Sequence, residues 1–311
     1  MWGSWLLGNA LVGGLVTGGG KRRGRWDVDD VVRVTAADGT ELACHVSGPE
    51  DAPPVALVHG WAAAASSWGD VGAGRLRTIA VDLRGHGDSG RSAEGHRSGR
   101  PVGGYRDSET WAGDVAAVLE SVGAPVVLVG WSYGGLVITD YLRHYGTAGV
   151  AGIVLVGAIT EIGRGHPGGR VGPAMRAAVP AALSEDADVA VPALLELTRR
   201  MTATPMEGAM LQCALAAPLR VPPSVRSAMF QRDVDSAEVL RSIDVPTLLV
   251  HGTADAVVDP RATEYAAGLI AGAEVRWYEG IGHMPFQERV EDFTVDLVTF
   301  AQSVATTKAG S

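Results

Sequence analysis

Residues 126–136 read VVLVGWSYGGL. Four aliphatic residues lead directly into the pentapeptide GWSYG at 130–134, which has the form G-x-S-x-G. The aliphatic run predicts a buried strand, and residues 136–145 have the apolar spacing of a helix. A serine between such a strand and helix sits on a very tight turn, where flanking glycines remove Cβ atoms that would collide. The stretch therefore predicts that Ser132 is raised above the carboxyl edge of a sheet, close to the N–H groups that begin a helix.

Short apolar strands and helices alternate along most of the chain. Strands are predicted at residues 31–35, 41–47, 55–58, 78–81, 126–129, 153–156, 247–250 and 275–278, and helices at 109–122, 136–145 and 294–304. This order predicts an α/β fold in which a mostly parallel central sheet is flanked by helices. The dipeptide Asp38-Gly39, between the first two strands, is a hairpin turn signal and predicts an antiparallel edge.

Residues 163–241 interrupt this alternation. They contain 8 of the 16 prolines and 5 of the 7 methionines, and none of them has a convincing strand pattern. We therefore predict a helical cap inserted after the sixth strand, with helices near 193–201 and 207–217. Methionine suits a pliable apolar wall, although ordinary packing between small helices would explain these residues equally well. The predicted domains are a flexible, apolar and glycine-rich leader at 1–26, a core at 27–162 and 242–306, and the cap at 163–241.

The composition excludes several classes of protein. Lys and Arg number 26 and Asp and Glu number 35, so the net charge is −9, which argues against nucleic acid as a partner. Hydrophobic residues make up 46% and charged residues 20%, as in a globular protein. The two cysteines, Cys44 and Cys213, form no C-x-x-C motif, and the eight histidines are scattered. We therefore expect a reduced, cytoplasmic protein without a metal site.

The first 25 residues allow two interpretations. Residues 1–20 carry no charge and include seven glycines, and the basic run KRRGR follows at 21–25. A secretory signal has its positive charge before the apolar stretch, so that assignment is disfavoured. The length would suffice for a membrane span, but the glycines lower its hydrophobicity. We favour a flexible leader and keep membrane association through residues 1–25 as the alternative.

Two polar side chains later in the chain also follow predicted strands. Asp255 comes just after the strand at 247–250, and His283 just after the strand at 275–278. Because the carboxyl ends of parallel strands meet at one edge of a sheet, Ser132, Asp255 and His283 are expected to converge there. A serine hydroxyl needs a base to act as a nucleophile. The three residues therefore predict a catalytic triad in the order Ser, Asp, His.

Two more motifs follow strands, HGW at 59–61 and DLRGHGDSG at 82–90. Together with the motifs around Ser132, Asp255 and His283, they make residues 31–304 resemble the α/β-hydrolase fold family. The resemblance is greatest to its lidded esterase-like members and its cofactor-free haloperoxidase-like members. It implies a carboxylesterase-like enzyme that needs neither a cofactor nor a metal.

The same resemblance implies further roles. The backbone N–H groups of Trp61 and Tyr133 would form the oxyanion hole. Residues of the 82–90 motif would brace the site without taking part in chemistry. We interpret His59 and His251 as buried structural residues.

Differences in sequence from related enzymes narrow the range of reactions that we expect this protein to catalyse. Ser132 stands where epoxide hydrolases and haloalkane dehalogenases carry Asp, and Ala63 replaces the proline of their HGxP motif. The expected partner is a small apolar acyl or carbonyl substrate. Three alternatives to ester hydrolysis stay open: perhydrolase or haloperoxidase activity with the same triad, hydrolysis of a carbon–carbon bond in a diketone, and a ligand-binding protein with little turnover.

Overall fold

The computed structural model describes residues 30–92, 96–97, 100–101 and 104–309, so the predicted leader at 1–26 lies outside the described residues. Within these ranges the central sheet has eight strands: β1 (Asp30–Thr35), β2 (Glu41–Ser47), β3 (Pro54–Val58), β4 (Arg77–Val81), β5 (Val126–Trp131), β6 (Val150–Val156), β7 (Thr247–Gly252) and β8 (Glu274–Tyr278). The α-helices are α1 (Ser108–Val122), α2 (Tyr133–Tyr145), α3 (Pro173–Ala182), α4 (Ala187–Arg199), α5 (Gly208–Arg220), α6 (Pro223–Phe230), α7 (Ala237–Arg241), α8 (Arg261–Leu269), α9 (Pro285–Glu288) and α10 (Val290–Ala309). Short 3₁₀ helices span Ala65–Trp68 and Pro167–Gly169, and a small hairpin pairs His96–Arg97 with Arg100–Pro101.

The central sheet has the order β1-β2-β4-β3-β5-β6-β7-β8. From β4 to β8 all neighbouring strands are parallel, whereas β2 pairs antiparallel with both β1 and β4. The β1–β2 turn contains Gly39 at a φ of +89°, as the hairpin signal predicts. The predicted fold class, a mostly parallel sheet flanked by helices with an antiparallel edge, is confirmed.

The interior strands are buried on both faces. Every residue of β5, β6 and β7 is buried, because helices cover both sides of the sheet. The strand β5 extends past its predicted end through Gly130 and Trp131, and α2 begins at Tyr133 rather than 136. The turn between strand and helix is therefore a single residue, Ser132.

Between β6 and β7 the chain forms the helices α3 to α7, and we use the name cap for residues 163–241. The two predicted cap helices correspond to α4 and α5, which are longer than expected because each continues through a proline, Pro192 or Pro218. An isolated bridge pairs Ile162 with Val234, so the chain leaves the core and returns to it at the same place. Across the described residues, no helix combines the length and the apolar character that crossing a bilayer requires.

A buried ion pair fastens the end of the cap to α2. Arg232 Nη2 lies 2.7 and 2.6 Å from the two carboxylate oxygens of Asp140, and neither side chain is exposed. Arg232 Nη1 also donates to the hydroxyl of Tyr133, 3.1 Å away. The helix that begins beside Ser132 is therefore held directly by the cap.

Replacing this arginine should destabilise the fold strongly. Arg232→Met leaves the Asp140 carboxyl buried without its partner, which costs about 3–5 kcal/mol. Urea unfolding at neutral pH measures this loss. Arg241→Met is the matched control, because Arg241 forms an exposed pair with Glu238 and its loss should cost no more than about 1 kcal/mol. Equal effects of the two substitutions would contradict the prediction.

Candidate active site

Ser132 lies on a strained turn between β5 and α2. Its backbone has a φ of +57° and a ψ of −120°, a conformation that non-glycine residues rarely adopt. Such a residue costs about 1–3 kcal/mol and persists only where its surroundings enforce it. Here the Ser132 N–H donates to Val156 O at 3.0 Å, and the Ser132 carbonyl accepts from Gly135 N and Ile159 N. The end of β6 therefore holds the turn in place.

The glycines on either side of Ser132 are required by close packing. A Cβ atom at Gly130 would lie 2.8 Å from the carbonyl of Gly134. A Cβ atom at Gly134 would lie 2.2 Å from Val58 O, at the end of β3. No side chain fits at those distances, so the G-x-S-x-G pattern has a steric origin in this fold.

Asp255 and His283 are brought together at the same edge of the sheet. His283 Nδ1 lies 2.7 Å from Asp255 Oδ2, and both side chains are buried. The other carboxylate oxygen accepts from Val257 N at 2.7 Å and from Val258 N at 3.0 Å. These contacts orient the carboxylate so that its Oδ2 atom faces the imidazole.

His251 is a second histidine on the same carboxylate. Its Nε2 lies 3.1 Å from Asp255 Oδ2, and its Nδ1 lies 2.7 Å from the hydroxyl of Thr263. Burial alone would raise the pKa of Asp255, but the charge of His283 and hydrogen bonds from His251 and His283 hold that pKa below its ordinary value. The contact with Asp255 was not foreseen from the sequence. The spacing His251-x-x-x-Asp255 at a strand end was its available signal.

His283 lies beside the turn that carries Ser132. A Cβ atom on Gly157 would lie 3.1 Å from His283 Nδ1, and Gly157 directly follows Val156, the acceptor of the Ser132 N–H. The Trp131 indole N–H donates to His283 O at 2.9 Å, and the two rings are 5.3 Å apart. Within the described part of the chain the Ser132 hydroxyl forms no hydrogen bond, so its contact with His283 stays a prediction.

The loop after β3 runs directly past Ser132. A Cβ atom on Gly60 would lie 2.9 Å from Ser132 Cβ, and Ala62 has a φ of +53°. Neither the Trp61 N–H nor the Tyr133 N–H donates to an acceptor among the residues that the structure describes. Both amides belong to segments that adjoin Ser132, as an oxyanion hole would need, and that role stays a prediction.

The motif at 82–90 forms a loop next to the site whose first five residues, 82–86, are buried. Asp82 Oδ1 accepts from Ala65 N at 2.7 Å, and Arg84 pairs with the buried Asp114. Burial opposes the ionisation of Asp82, but hydrogen bonds from His45 and from backbone N–H groups, together with His59, lower its pKa to about 2. These contacts are those of a structural brace.

His59 is also engaged with the backbone. Its Nδ1 lies 2.8 Å from Gly60 O, and its Nε2 accepts from Leu83 N at 3.0 Å. Both ring nitrogens are occupied, and burial lowers the pKa of His59. The neutral ring therefore links the loop after β3 to the loop after β4.

One group of side chains in the described ranges is close enough to share a metal ion. His45, Asp82 and Asp88 place one ligand atom each within 4.8 Å of one another. However, Asp82 Oδ2 already accepts from Asp88 N at 2.9 Å and lies 3.0 Å from His45 Nε2. The folding of the loop explains the group, and we assign no metal to it.

An apolar cavity of about 560 Å³ lies between the cap and the loops around Ser132. Its lining includes Trp61, itself a predicted oxyanion-hole residue, and Trp131 and Met284, the sequence neighbours of Ser132 and His283. Among the described residues, no charged side chain lines it. The full lining is Trp61, Ala62, Ala63, Ser66, Ser67, Trp131, Leu194, Leu197, Thr198, Met201, Met206, Ala209, Met210, Cys213, Ala214, Ala216, Ala217, Pro218, Met284 and Gln287.

The methionines of the cap divide between the two roles considered for them. Met201, Met206 and Met210 line the cavity, where their flexible thioethers form part of its wall. Met175 and Met229 are buried in the hydrophobic core and do not line the cavity, whereas Met206 belongs both to a core cluster and to the cavity wall. Packing alone therefore accounts for Met175 and Met229, whereas Met201, Met206 and Met210 contribute to the cavity wall.

Known proteins resemble this chain over most of its length. Residues 55–297 match the family described as "Alpha/beta hydrolase family". The crystal structure of an esterase from Rhodococcus sp. ECU1013 is 44% identical, with a TM-score of 0.82, and covers 88% of this chain and 99% of its own. A putative aryl esterase from Burkholderia cenocepacia is 29% identical, with a TM-score of 0.79, covering 89% and 100%. A non-heme chloroperoxidase from Streptomyces lividans is 32% identical over 87% of this chain and 99% of its own. The chain therefore belongs to the alpha/beta hydrolase family.

Proposed function

We propose that this protein is a serine esterase whose catalytic triad is Ser132, Asp255 and His283. The observation that carries the proposal is the buried pair of Asp255 and His283, 2.7 Å apart, beside the strained turn of Ser132. Strained backbone at a serine that begins a helix is typical of a nucleophile held ready to react. The Rhodococcus esterase, at 44% identity over nearly its whole length, supports the same activity.

The contact between Asp255 and His283 supports a separate role for each nitrogen of the imidazole. Because Nδ1 faces Asp255, Nε2 is the nitrogen free to take the proton from the Ser132 hydroxyl. The serine oxygen then attacks the ester carbonyl, and the N–H groups of Trp61 and Tyr133 hold the oxyanion. His283 returns the proton to the leaving alcohol. Water, activated by the same imidazole, releases the acid from Ser132.

The cavity indicates the class of substrate. Its lining is apolar except for the hydroxyls of Ser66, Ser67 and Thr198, the Gln287 amide and the Cys213 thiol. A charged group placed there would lose its hydration without gaining a partner. We therefore propose uncharged esters whose acyl or alcohol portion is apolar.

Filling the cavity should change chain-length preference. Ala214 lines the cavity from α5, and Ala214→Trp should lower kcat/KM for p-nitrophenyl octanoate by about 10-fold while sparing the acetate. The control is Val189→Trp, because Val189 lies on α4 with 45% of its surface exposed and does not line the cavity. An equal loss for octanoate and acetate would refute the prediction.

The proposed activity is tested with p-nitrophenyl esters of increasing chain length, comparing the wild type with Ser132→Ala. Hydrolysis that requires Ser132 supports the esterase. Labelling of Ser132 by a fluorophosphonate separates an active nucleophile from a ligand-binding protein with little turnover.

A perhydrolase is the second candidate. It is favoured by the 32% identity to the chloroperoxidase of Streptomyces lividans over nearly the whole of that protein. In this reaction hydrogen peroxide replaces water and attacks the acyl group on Ser132, which releases a peracid. Formation of peracetic acid from acetate and peroxide by the wild type, and not by Ser132→Ala, would demonstrate it.

A further inference from the structure

The loop that carries His283 is bonded directly to the cap. His283 N donates to Met201 O at 2.8 Å, while His283 O accepts from the Trp131 indole on the other side. The backbone of His283 is therefore held between the strand that leads to Ser132 and the cap residues 201–203. The position of the imidazole depends on both supports.

Glu288 bridges the same two segments with its carboxylate. Oε1 accepts from Gly282 N at 2.8 Å, and Oε2 accepts from Ala203 N at 2.9 Å. One N–H belongs to the residue before His283, and the other belongs to the cap. A carboxylate has an acceptor for each of these donors, whereas an amide side chain has only one oxygen to offer.

The contact between the two segments leaves no space. A Cβ atom on Gly282 would lie 2.5 Å from Ala203 N and 2.7 Å from the carbonyl carbon of Thr202. The cap backbone therefore packs against the backbone of the histidine loop itself. We therefore expect a displacement of residues 201–203 to move the loop with them.

Of these cap residues, Met201 also lines the proposed substrate cavity. The carbonyl of Met201 accepts the hydrogen bond from His283 N, so a residue of the cavity wall contacts the histidine loop directly. Met206 N bonds back to Arg199 O at the end of α4, so the segment is anchored to a helix of the cavity wall. One short stretch of cap backbone thus connects the wall of the cavity to the loop of His283.

We propose that Glu288 is a positioning residue that fastens the cap to the loop of His283 and so sets the position of the imidazole for reaction. The inference rests on the proposed function, because it assigns His283 as the base. Glu288 touches neither the substrate cavity nor the reacting atoms; it acts through backbone N–H groups on either side.

Besides holding the loop in place, Glu288 acts on His283 through its charge. Burial raises the pKa of Glu288, and the negative charge of Asp255 raises it further. The N–H groups of Ala203 and Gly282 and the charge of His283 act in the opposite direction. Asp255 in turn contacts His251. A negative charge at Glu288 stabilises the imidazolium that forms at His283 during the reaction.

The test compares kcat, KM and the pH profile of ester hydrolysis in Glu288→Gln and the wild type. The amide keeps the size of the side chain but cannot accept from both N–H groups and carries no charge. We expect kcat to fall about 10- to 100-fold because the base is misplaced, while KM changes little. The acidic limb of the profile should move to lower pH, since the neutral amide no longer stabilises the imidazolium. The exposed Glu291, at the start of α10, supplies the control Glu291→Gln, which should behave as the wild type.

A second variant approaches the same contact from the other side. Gly282→Ala places a Cβ atom against the cap backbone and should lower kcat as Glu288→Gln does. If both changes break one contact, the double variant should lose little more than the worse single variant. Rates are normalised by fluorophosphonate titration, so that loss of folded enzyme is not counted as loss of kcat.

Three results would overturn the inference: a normalised kcat within 2-fold of the wild type in Glu288→Gln, a loss of kcat with an unmoved acidic limb, or additive losses in the double variant. Failure of the proposed function looks different, because Ser132→Ala would then hydrolyse esters as well as the wild type. If Ser132→Ala is inactive and Glu288→Gln is normal, the esterase stands and only the role of Glu288 is wrong.

Discussion

Ser132→Ala should lower kcat for a p-nitrophenyl ester by about 10⁴- to 10⁶-fold, the range seen when a serine nucleophile is removed from such a triad. The variant keeps the cavity and the pair of Asp255 and His283, so KM should stay within a few-fold of the wild-type value. The loss is that large because no other hydroxyl can occupy the raised position between β5 and α2. Steady-state hydrolysis with purified protein measures it.

The same variant should remain folded. Alanine at position 132 must still adopt the φ of +57°, so the strain in the turn is retained and the free energy of unfolding should change little. The control is Ser67→Ala, because Ser67 also lines the cavity but lies on the 3₁₀ helix of Ala65–Trp68 rather than on the turn between β5 and α2. Hydrolysis by Ser132→Ala at even a tenth of the wild-type rate would remove the basis of the proposed mechanism.

The sequence predicts the sheet well because its interior strands are simple. In β5, β6 and β7 every residue is buried, and continuous aliphatic runs are typical of such strands. The hairpin at the sheet edge is equally readable, since Asp38-Gly39 offers the positive φ that the turn needs. Local sequence patterns were sufficient for the strands and the turn whose conformation depends mainly on residues close to them in the chain.

The ends of elements were less predictable, for physical reasons. The helix α2 starts at Tyr133 because the turn at Ser132 is tight, although Gly134 and Gly135 are poor helix formers. The helices α4 and α5 pass through Pro192 and Pro218, each of which removes only one helical hydrogen bond while the cap packs around it. Tertiary packing overrides local preference at these points.

Contacts between distant segments were the least predictable part of the site. The sequence places Asp255 and His283 at one sheet edge, and the structure brings them to 2.7 Å. By contrast, the bridge of Glu288 to Ala203 joins residues 85 positions apart, and no local pattern indicates it. The same is true of the pair of Arg232 and Asp140, 92 positions apart.

Asp255→Asn should lower kcat by about 10⁴-fold, as expected when a triad carboxylate becomes an amide. The hydrogen bonds around this side chain define how the amide must sit. Oδ1 accepts from Val257 N and Val258 N, so the amide oxygen is retained on that side. The NH₂ group is then forced into the place of Oδ2, where it faces His283 Nδ1 and His251 Nε2.

An NH₂ group in that place donates to His283 Nδ1, so the imidazole must carry its proton on Nε2 and can no longer accept one from Ser132. His251 adds a further unfavourable contact. Its Nε2–H, which is also shared with Val258 O, would face the NH₂ group, another donor, instead of a carboxylate oxygen. Steady-state kinetics of Asp255→Asn measures the loss. Asp259→Asn is the matched control, since in the described part of the chain the Asp259 side chain bonds only to Arg261, and its kcat should stay within about 2-fold of the wild type. Equal kcat values for the two variants would mean that Asp255 does not set the tautomer of His283, and the assignment of His283 as the base would lose its structural support.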